Sequence, residues 1–457
     1  VVEDRMAEPQ TESKEATQSW SFPREFWLVN VMELLERAAY YGFFVVLTLY
    51  LTSIVGFTDK ETGFVGGIFF AGLYFLPPFV GAVGDRIGFK RGLMVAFGLL
   101  TVGYFFLGVF HSKLAVLLFL FVIMVGGSFI KPLITGTVAK TTTEVNRARG
   151  YSLFYWVVNV GAFGGKTVVP YVRQGIGVEY VNFFSSGMSL LALLVVLFFF
   201  EKVDRGEERK SMDDVIKSFW RIVLTPRLMI LTLIVAGFWI IQHQLYATMP
   251  KFVIRMVGED AKPEWLANVN PAVVVLCVVL VTHLMKKRKA VTSMLVGMVL
   301  MPFSALAMSL GPALEKGVGG DSVSLLLFAL HPLTVMMVVG IAIQGLAECF
   351  ISPRFLEYFS VQAPKGEEGT YLGFSHLHSF ISALAGFIMS GFLLDAYCPD
   401  PKTLPEGISA VERAAYYSDA HHIWYYFAVI GMTSAVALAL FWVITNRIDA
   451  AKSLEKS

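Results

Sequence analysis

Apolar residues gather along this chain into long runs set apart by short polar stretches. A helix needs about 20 mostly apolar residues to cross roughly 30 Å of hydrocarbon. Runs of that kind fall at 26–52, 62–84, 92–110, 114–139, 150–170 and 180–200, then at 228–250, 265–285, 290–312, 323–353, 369–394 and 420–446. The pattern predicts an all-α membrane protein of twelve transmembrane helices in two six-helix bundles, 25–200 and 228–446. The charged stretch 201–227 reads as a cytoplasmic linker, 1–24 as a disordered N-terminal tail and 447–457 as a C-terminal tail. The first 20 residues hold no apolar core of the kind a signal peptide carries. Six plus six is a repeat architecture that transporters use to alternate access around a central site.

Composition sharpens this picture. Of 457 residues 56% are hydrophobic and only 16% charged, where a soluble chain has roughly a quarter. The basic residues sit in loops, so the net charge of +2 gives no reason to expect a nucleic-acid partner. The three cysteines, Cys277, Cys349 and Cys398, show no metal-binding or disulfide spacing. Lys and Arg cluster after every second span: Arg86/Lys90/Arg91, Lys140/Arg147/Arg149, seven basic residues from Lys202 to Arg227, Lys286/Lys287/Arg288/Lys289, and Arg354/Lys365. The loops on the other side are poor in basic residues, and Asp59/Glu61 and Glu259/Asp260 are acidic. The positive-inside rule then places both termini in the cytoplasm. The expected location is a bacterial inner membrane, with the lipid bilayer as the surrounding partner.

Five ionisable residues interrupt the apolar runs: Glu33, Glu36, Arg37, Lys131 and Glu348. A charge in a span costs at least ~2.5–3.5 kcal/mol, so each needs a partner or a water-lined cavity. Glu33, Glu36 and Arg37 fall at i, i+3 and i+4, on one helical face. Lys131 and Glu348 reach a similar depth on other spans, and the five are expected to form one connected network. Buried ion pairs stabilise poorly compared with apolar packing. A carboxylate that gains a proton beside a base can instead change which helices attract each other.

Other polar residues in the spans are candidates for substrate contact. Asn159 and Asn270 can hydrogen-bond a solute or join helices. Tyr40, Tyr41 and Tyr74 can line a pocket or pack. His243, His376 and His378 are candidate titrating groups without metal-site spacing. Lys166 either snorkels to the interface or faces a cavity and attracts an anion.

The stretch Gly81-Ala-Val-Gly-Asp85-Arg86-Ile-Gly88-Phe-Lys90-Arg91 resembles the GxxxDRxGRK loop of the major facilitator superfamily. By that resemblance Gly81, Asp85, Arg86, Gly88, Lys90 and Arg91 would latch a cytoplasmic gate. Glu33-Leu-Leu-Glu36-Arg37 followed by Tyr40-Tyr41-Gly42 resembles the ExxER…YYG signature of the proton-coupled oligopeptide transporters, the PTR family. Lys131-Pro132, the stretch from Phe154 through Asn159 to Gly161, Asn270-Pro271, and Glu348 to Pro353 with Ala363-Pro364 resemble further motifs of that family, in its order. The resemblance covers roughly 25–445. It implies the superfamily fold and import of di- and tripeptides driven by a proton gradient, with no other cofactor. It also implies proton coupling by Glu33, Glu36, Arg37 and Lys131, contact of Glu348 with the peptide ammonium, and basic residues on its carboxylate.

Departures from the family pattern bear on the cargo. Peptide carriers usually have Arg where Phe44 stands, and acidic residues where Phe238-Trp239 leads into Gln242-His243-Gln244. Ser375 replaces a usual Trp, with His376 and His378 close by. The alternative cargo is a small organic or inorganic anion, for which Lys166, His243 and the missing acid speak. A membrane enzyme is disfavoured because no nucleophile–base or metal constellation is visible, and a receptor because it is expected to carry a sizeable soluble domain.

Overall fold

The computed structural model describes residues 21–143, 146–201, 212–320, 322–325, 328–363, 368–406 and 408–454. The tail expected at 1–24 therefore lies, up to residue 20, outside the described residues, as does 202–211 of the linker.

Helix α1 (Arg24–Ser53) follows Pro23, which cannot donate a backbone bond and so suits a helix start. Helix α2 (Asp59–Phe75) opens on a capping box between Thr58 and Glu61. Its continuation α3 (Pro77–Ile87) is bent from it by 47°, because Pro77 and Pro78 interrupt the hydrogen-bond ladder. The gate motif expected as a loop is therefore helical up to Ile87. Only Gly88, at φ 90°, turns the chain, a conformation L side chains rarely adopt. Next come α4 (Phe89–Val109), α5 (Lys113–Lys140), α6 (Arg147–Gly175) and α7 (Tyr180–Phe198).

The linker carries a helix of its own, α8 (Met212–Val223), whose Phe219 ring meets Phe75, Phe79 and Phe374. Beyond it one expected span is broken into α9 (Pro226–Gln242), α10 (Gln244–Ala247) and α11 (Met249–Val257). Then follow α12 (Pro263–Leu266), α13 (Val269–Met285), α14 (Ala290–Ser309) and α15 (Gly311–Val318). The span expected at 323–353 begins later than its apolar run. Strands β1 (Val323–Leu325) and β2 (Phe328–Leu330) pair antiparallel first, and α16 (Pro332–Gln362) starts at its proline. The order closes with α17 (Glu368–Ser375), α18 (Leu377–Tyr397), α19 (Ala410–Tyr416) and α20 (His422–Leu454).

Among the described residues ten helical spans are long and apolar enough to cross a membrane, with α9–α10, α12–α13 and α17–α18 each running as one, and eleven if the bent pair α2–α3 counts as one span. Helix α6 has the length, 29 residues, but carries Asn159, Lys166 and Arg173 and is not among them. The chain is a multi-pass integral membrane protein. On α13 the exposed positions Leu276, Val279, Leu280 and Leu284 form one apolar stripe, the face a membrane helix turns to lipid.

Helix α1 packs against α6 and α7, and α4 lies between α5 and α7. In the second set α14 packs on α16 and α20, while α9 packs on α18 and α20. The two sets meet most extensively where α2 crosses α18.

Candidate transport cavity

A cavity of about 270 Å³ lies between the two sets of helices. Its walls follow helical periodicity. From α1 come Tyr41 and Phe44, at i and i+3; from α9 and α10, Trp239, Gln242, His243 and Tyr246, at i, i+3, i+4 and i+7. Helix α16 gives Glu348, Ile351, Ser352 and Phe355 at the same spacing. Tyr74, Lys131, Asn270, His376, His378 and Ser379 complete its polar lining.

Opposite charges face this space from different elements. Glu348 Oε2 accepts from Gln242 Nε2 at 3.0 Å and Asn270 Nδ2 at 3.2 Å, and Glu348 forms no ion pair among the described residues. Lys131 Nζ lies 3.4 Å from His376 Nε2, likewise with no ion pair among the described residues. The cavity thus holds one acid and one base that have not neutralised each other, as recognition of a zwitterion requires.

Behind the wall, Arg37 serves two carboxylates on its own helix. Its Nε lies 3.2 Å from Glu33 Oε1, and its guanidinium also pairs with Glu36 Oε2. Glu33 and Glu36 are 5% and 2% exposed, so this cluster is shielded from bulk water. Its formal charge is −1, and a single proton brings it to neutrality. The Arg37 guanidinium sits 4.9 Å from the Tyr40 ring and 5.9 Å from that of Tyr41, which does reach the cavity. Helix α6 can approach this region because Gly161 has no side chain. A β-carbon there would fall 2.6 Å from Leu34 O and 2.8 Å from Arg37 Cβ.

The five charged residues are therefore not one bonded network. The Glu33–Arg37–Glu36 cluster, Lys131 with His376, and Glu348 with its two amides form three separate sets. Asn159 is absent from the cavity wall, and its amide donates to Tyr155 O one turn back in α6. Lys166 is also absent from that wall. It is 1% exposed, donates to Ala267 O at 3.0 Å and lies 5.5 Å from the Tyr41 ring. Neither the interface nor the cavity receives it; it joins α6 to the C-terminal end of α12. Of the gate-motif residues, Gly81 packs on Pro132, next to Lys131. Arg86 and Arg91 are exposed and Lys90 is half-buried, and the Asp85 side chain is outside the described residues.

Phe44 stands where the family pattern usually has Arg, and it meets an aromatic ring of the opposite set. Its ring stacks on Tyr246 at 4.2 Å and 13°, joining α1 to α10 through aromatic contact.

The end of the bundle opposite the basic loops is sealed by ion pairs between the two sets. Asp59 Oδ1 accepts from Lys251 Nζ at 2.7 Å, and Asp59 Oδ2 from Arg255 at 2.8 Å. Arg173 on α6 pairs with Glu264 on α12 at 2.6 Å and donates to Ala261 O at 2.6 Å. Asp59, Lys251 and Glu264 are 4%, 1% and 0% exposed. Asp59 was expected in an acidic loop, and instead it begins α2 and is buried against cations of the other set.

A family model for the Major Facilitator Superfamily matches residues 29–320. The chain belongs to that superfamily. Among curated members, it is 30% identical over 182 residues to dipeptide and tripeptide permease B of Photorhabdus asymbiotica, a match covering 38% of this chain and 37% of the relative. It is 25% identical over 256 residues to dipeptide and tripeptide permease A of Proteus mirabilis, covering 54% and 51%. The chain spans between about a third and half the length of the curated relatives it matches. Superfamily structures extend the fold likeness over almost the whole chain. A POT family transporter crystallised in meso superposes with a TM-score of 0.72 at 17% identity, covering 93% of this chain and 99% of that one. An auto-inhibited POT family peptide transporter gives 0.72 at 16%, covering 92% and 96%.

Sequence reasoning singled out the five charges within apolar spans but passed over Trp239, Gln242 and Tyr246 as cavity residues. Their i, i+3, i+7 spacing with His243 at i+4 was the available signal.

Proposed function

We propose that the chain is a proton-coupled symporter that carries di- and tripeptides or peptide-like solutes by alternating access. One observation carries the reading: an acid, Glu348, and a base, Lys131, neither in an ion pair among the described residues, face one cavity in front of the buried Glu33–Arg37–Glu36 cluster. A peptide offers an ammonium to Glu348 and a carboxylate to Lys131. Both sites lie in low dielectric, where such contacts are stronger than in water. Proton uptake by Glu33 or Glu36 removes the cluster's surplus charge and loosens its hold on Arg37. The bundles 25–200 and 228–446 then exchange which end is open, as the ion pairs at Asp59 and Arg173 break and reform. As a carrier the protein makes and breaks no covalent bond in its cargo. The names of the peptide permeases it resembles support the choice of cargo.

The test is uptake of labelled dialanine into proteoliposomes under an inward proton gradient. The reading expects accumulation above the external concentration that a protonophore abolishes. Absence of uptake across a broad dipeptide panel overturns the cargo, and gradient-driven uptake of nitrate or a small carboxylate in its place supports the anion reading.

A further inference from the structure

We infer that the cavity selects peptides with an acidic side chain, whose carboxylate is received by His376 and His378 beside Lys131 while the peptide ammonium lies against Glu348. This rests on the peptide-carrier reading and names a substrate class within it.

The Lys131 end of the cavity is rich in hydrogen-bond donors. Lysine carries three N–H donors and no acceptor. Lys131 Nζ, 3.4 Å from His376 Nε2, is therefore the donor, and the proton of a neutral His376 sits on Nδ1. That N–H has no other hydrogen-bond partner among the described residues. His378 Nδ1 is 3.0 Å from Ser379 Oγ; with the serine hydroxyl donating to it, the ring proton sits on Nε2, a second N–H without a partner among them. Two N–H bonds of Lys131 remain as well. The carboxylate of a peptide terminus can take the two remaining N–H bonds of Lys131, which leaves the two imidazoles for a second acceptor, and no carboxylate of the described residues lies within ion-pair distance of Lys131.

The rings are also held in place. Trp239 stacks on His378 with centroids 5.3 Å apart and planes 16° apart, and Phe355 meets it edge-on at 4.8 Å. Tyr74 faces His376 with centroids 6.4 Å apart and planes 26° apart. Fixed donors lose little freedom on binding, so they favour an acceptor-only group. A side-chain carboxylate is such a group. The amide of the same shape turns N–H against N–H or uses a single oxygen.

The experiment is competition against labelled dialanine uptake by Ala-Glu and by its neutral isostere Ala-Gln. Hydrogen bonds to a charged group outweigh those to a neutral one, so the wild type is expected to favour Ala-Glu by about tenfold. The double variant H376Q/H378Q is expected to bring the ratio to within about threefold. The ratio is read within one protein, so partial loss of folded carrier does not move it. Equal competition by the two peptides in a wild type that carries dialanine overturns the inference and leaves the peptide-carrier reading intact. An undiminished preference in the double variant overturns it as well. Absence of uptake and of binding for every dipeptide overturns both.

Discussion

Lys131 Nζ faces His376 Nε2 at 3.4 Å, a base against an imidazole, with no carboxylate of the described residues within ion-pair distance. Glu348, the acid that would be its natural partner, instead accepts from Gln242 and Asn270. Residues without direct contact contribute almost independently, so the stability losses of Lys131→Ala and Glu348→Ala should add to within about 0.5 kcal/mol in the empty protein. With peptide bound the two become linked through the ligand. Thermal melting of both single variants and the double variant, with and without dialanine, measures the coupling. A coupling above about 1 kcal/mol in the absence of peptide would show that the two side chains pair directly.

Glu33 and Glu36 share the single guanidinium of Arg37, and one proton neutralises the cluster. Replacing either acid by Gln makes the cluster neutral permanently. Glu33→Gln and Glu36→Gln should each abolish proton-driven accumulation while counterflow exchange of peptide continues. Wild-type accumulation in both variants would remove this cluster as the coupling site.

How much of this was legible beforehand differs by element. The cluster on α1 was readable because i, i+3 and i+4 spacing on one helix fixes proximity without knowledge of the fold. Lys131 and Glu348 were readable as charges in apolar runs, but their partners were not. Those depend on how α5 packs against the start of α18 and α16 against α9 and α13, and local spacing carries no record of that. Lys166 illustrates the limit. Both sequence-based destinations for it were wrong, because its acceptor is a backbone carbonyl at the end of α12, which no side-chain pattern announces. The bend at Pro77 was signalled by the proline pair, whereas the late start of α16 was hidden by an apolar run that continues through the hairpin β1–β2.

Asp59 holds both Lys251 and Arg255 from the opposite set of helices. Removing one partner of a buried ion pair typically costs about 3–5 kcal/mol, since it strands the remaining charge. Asp59→Asn should therefore weaken closure of this end and raise the fraction of molecules open there. Spin labels at Ser53→Cys and Thr403→Cys, both near this end, report the change as a longer-distance population in double electron–electron resonance. An unchanged distance distribution in a folded Asp59→Asn protein would mean that these pairs do not hold the end shut.

The central claim is that peptide and protons cross together. Proteoliposomes holding a pH-sensitive dye, with peptide outside and no initial pH difference, test it directly. The account predicts that adding dialanine acidifies the interior at an initial rate proportional to labelled dialanine uptake, and that Glu33→Gln removes the acidification. Dialanine uptake with no change in internal pH would contradict it.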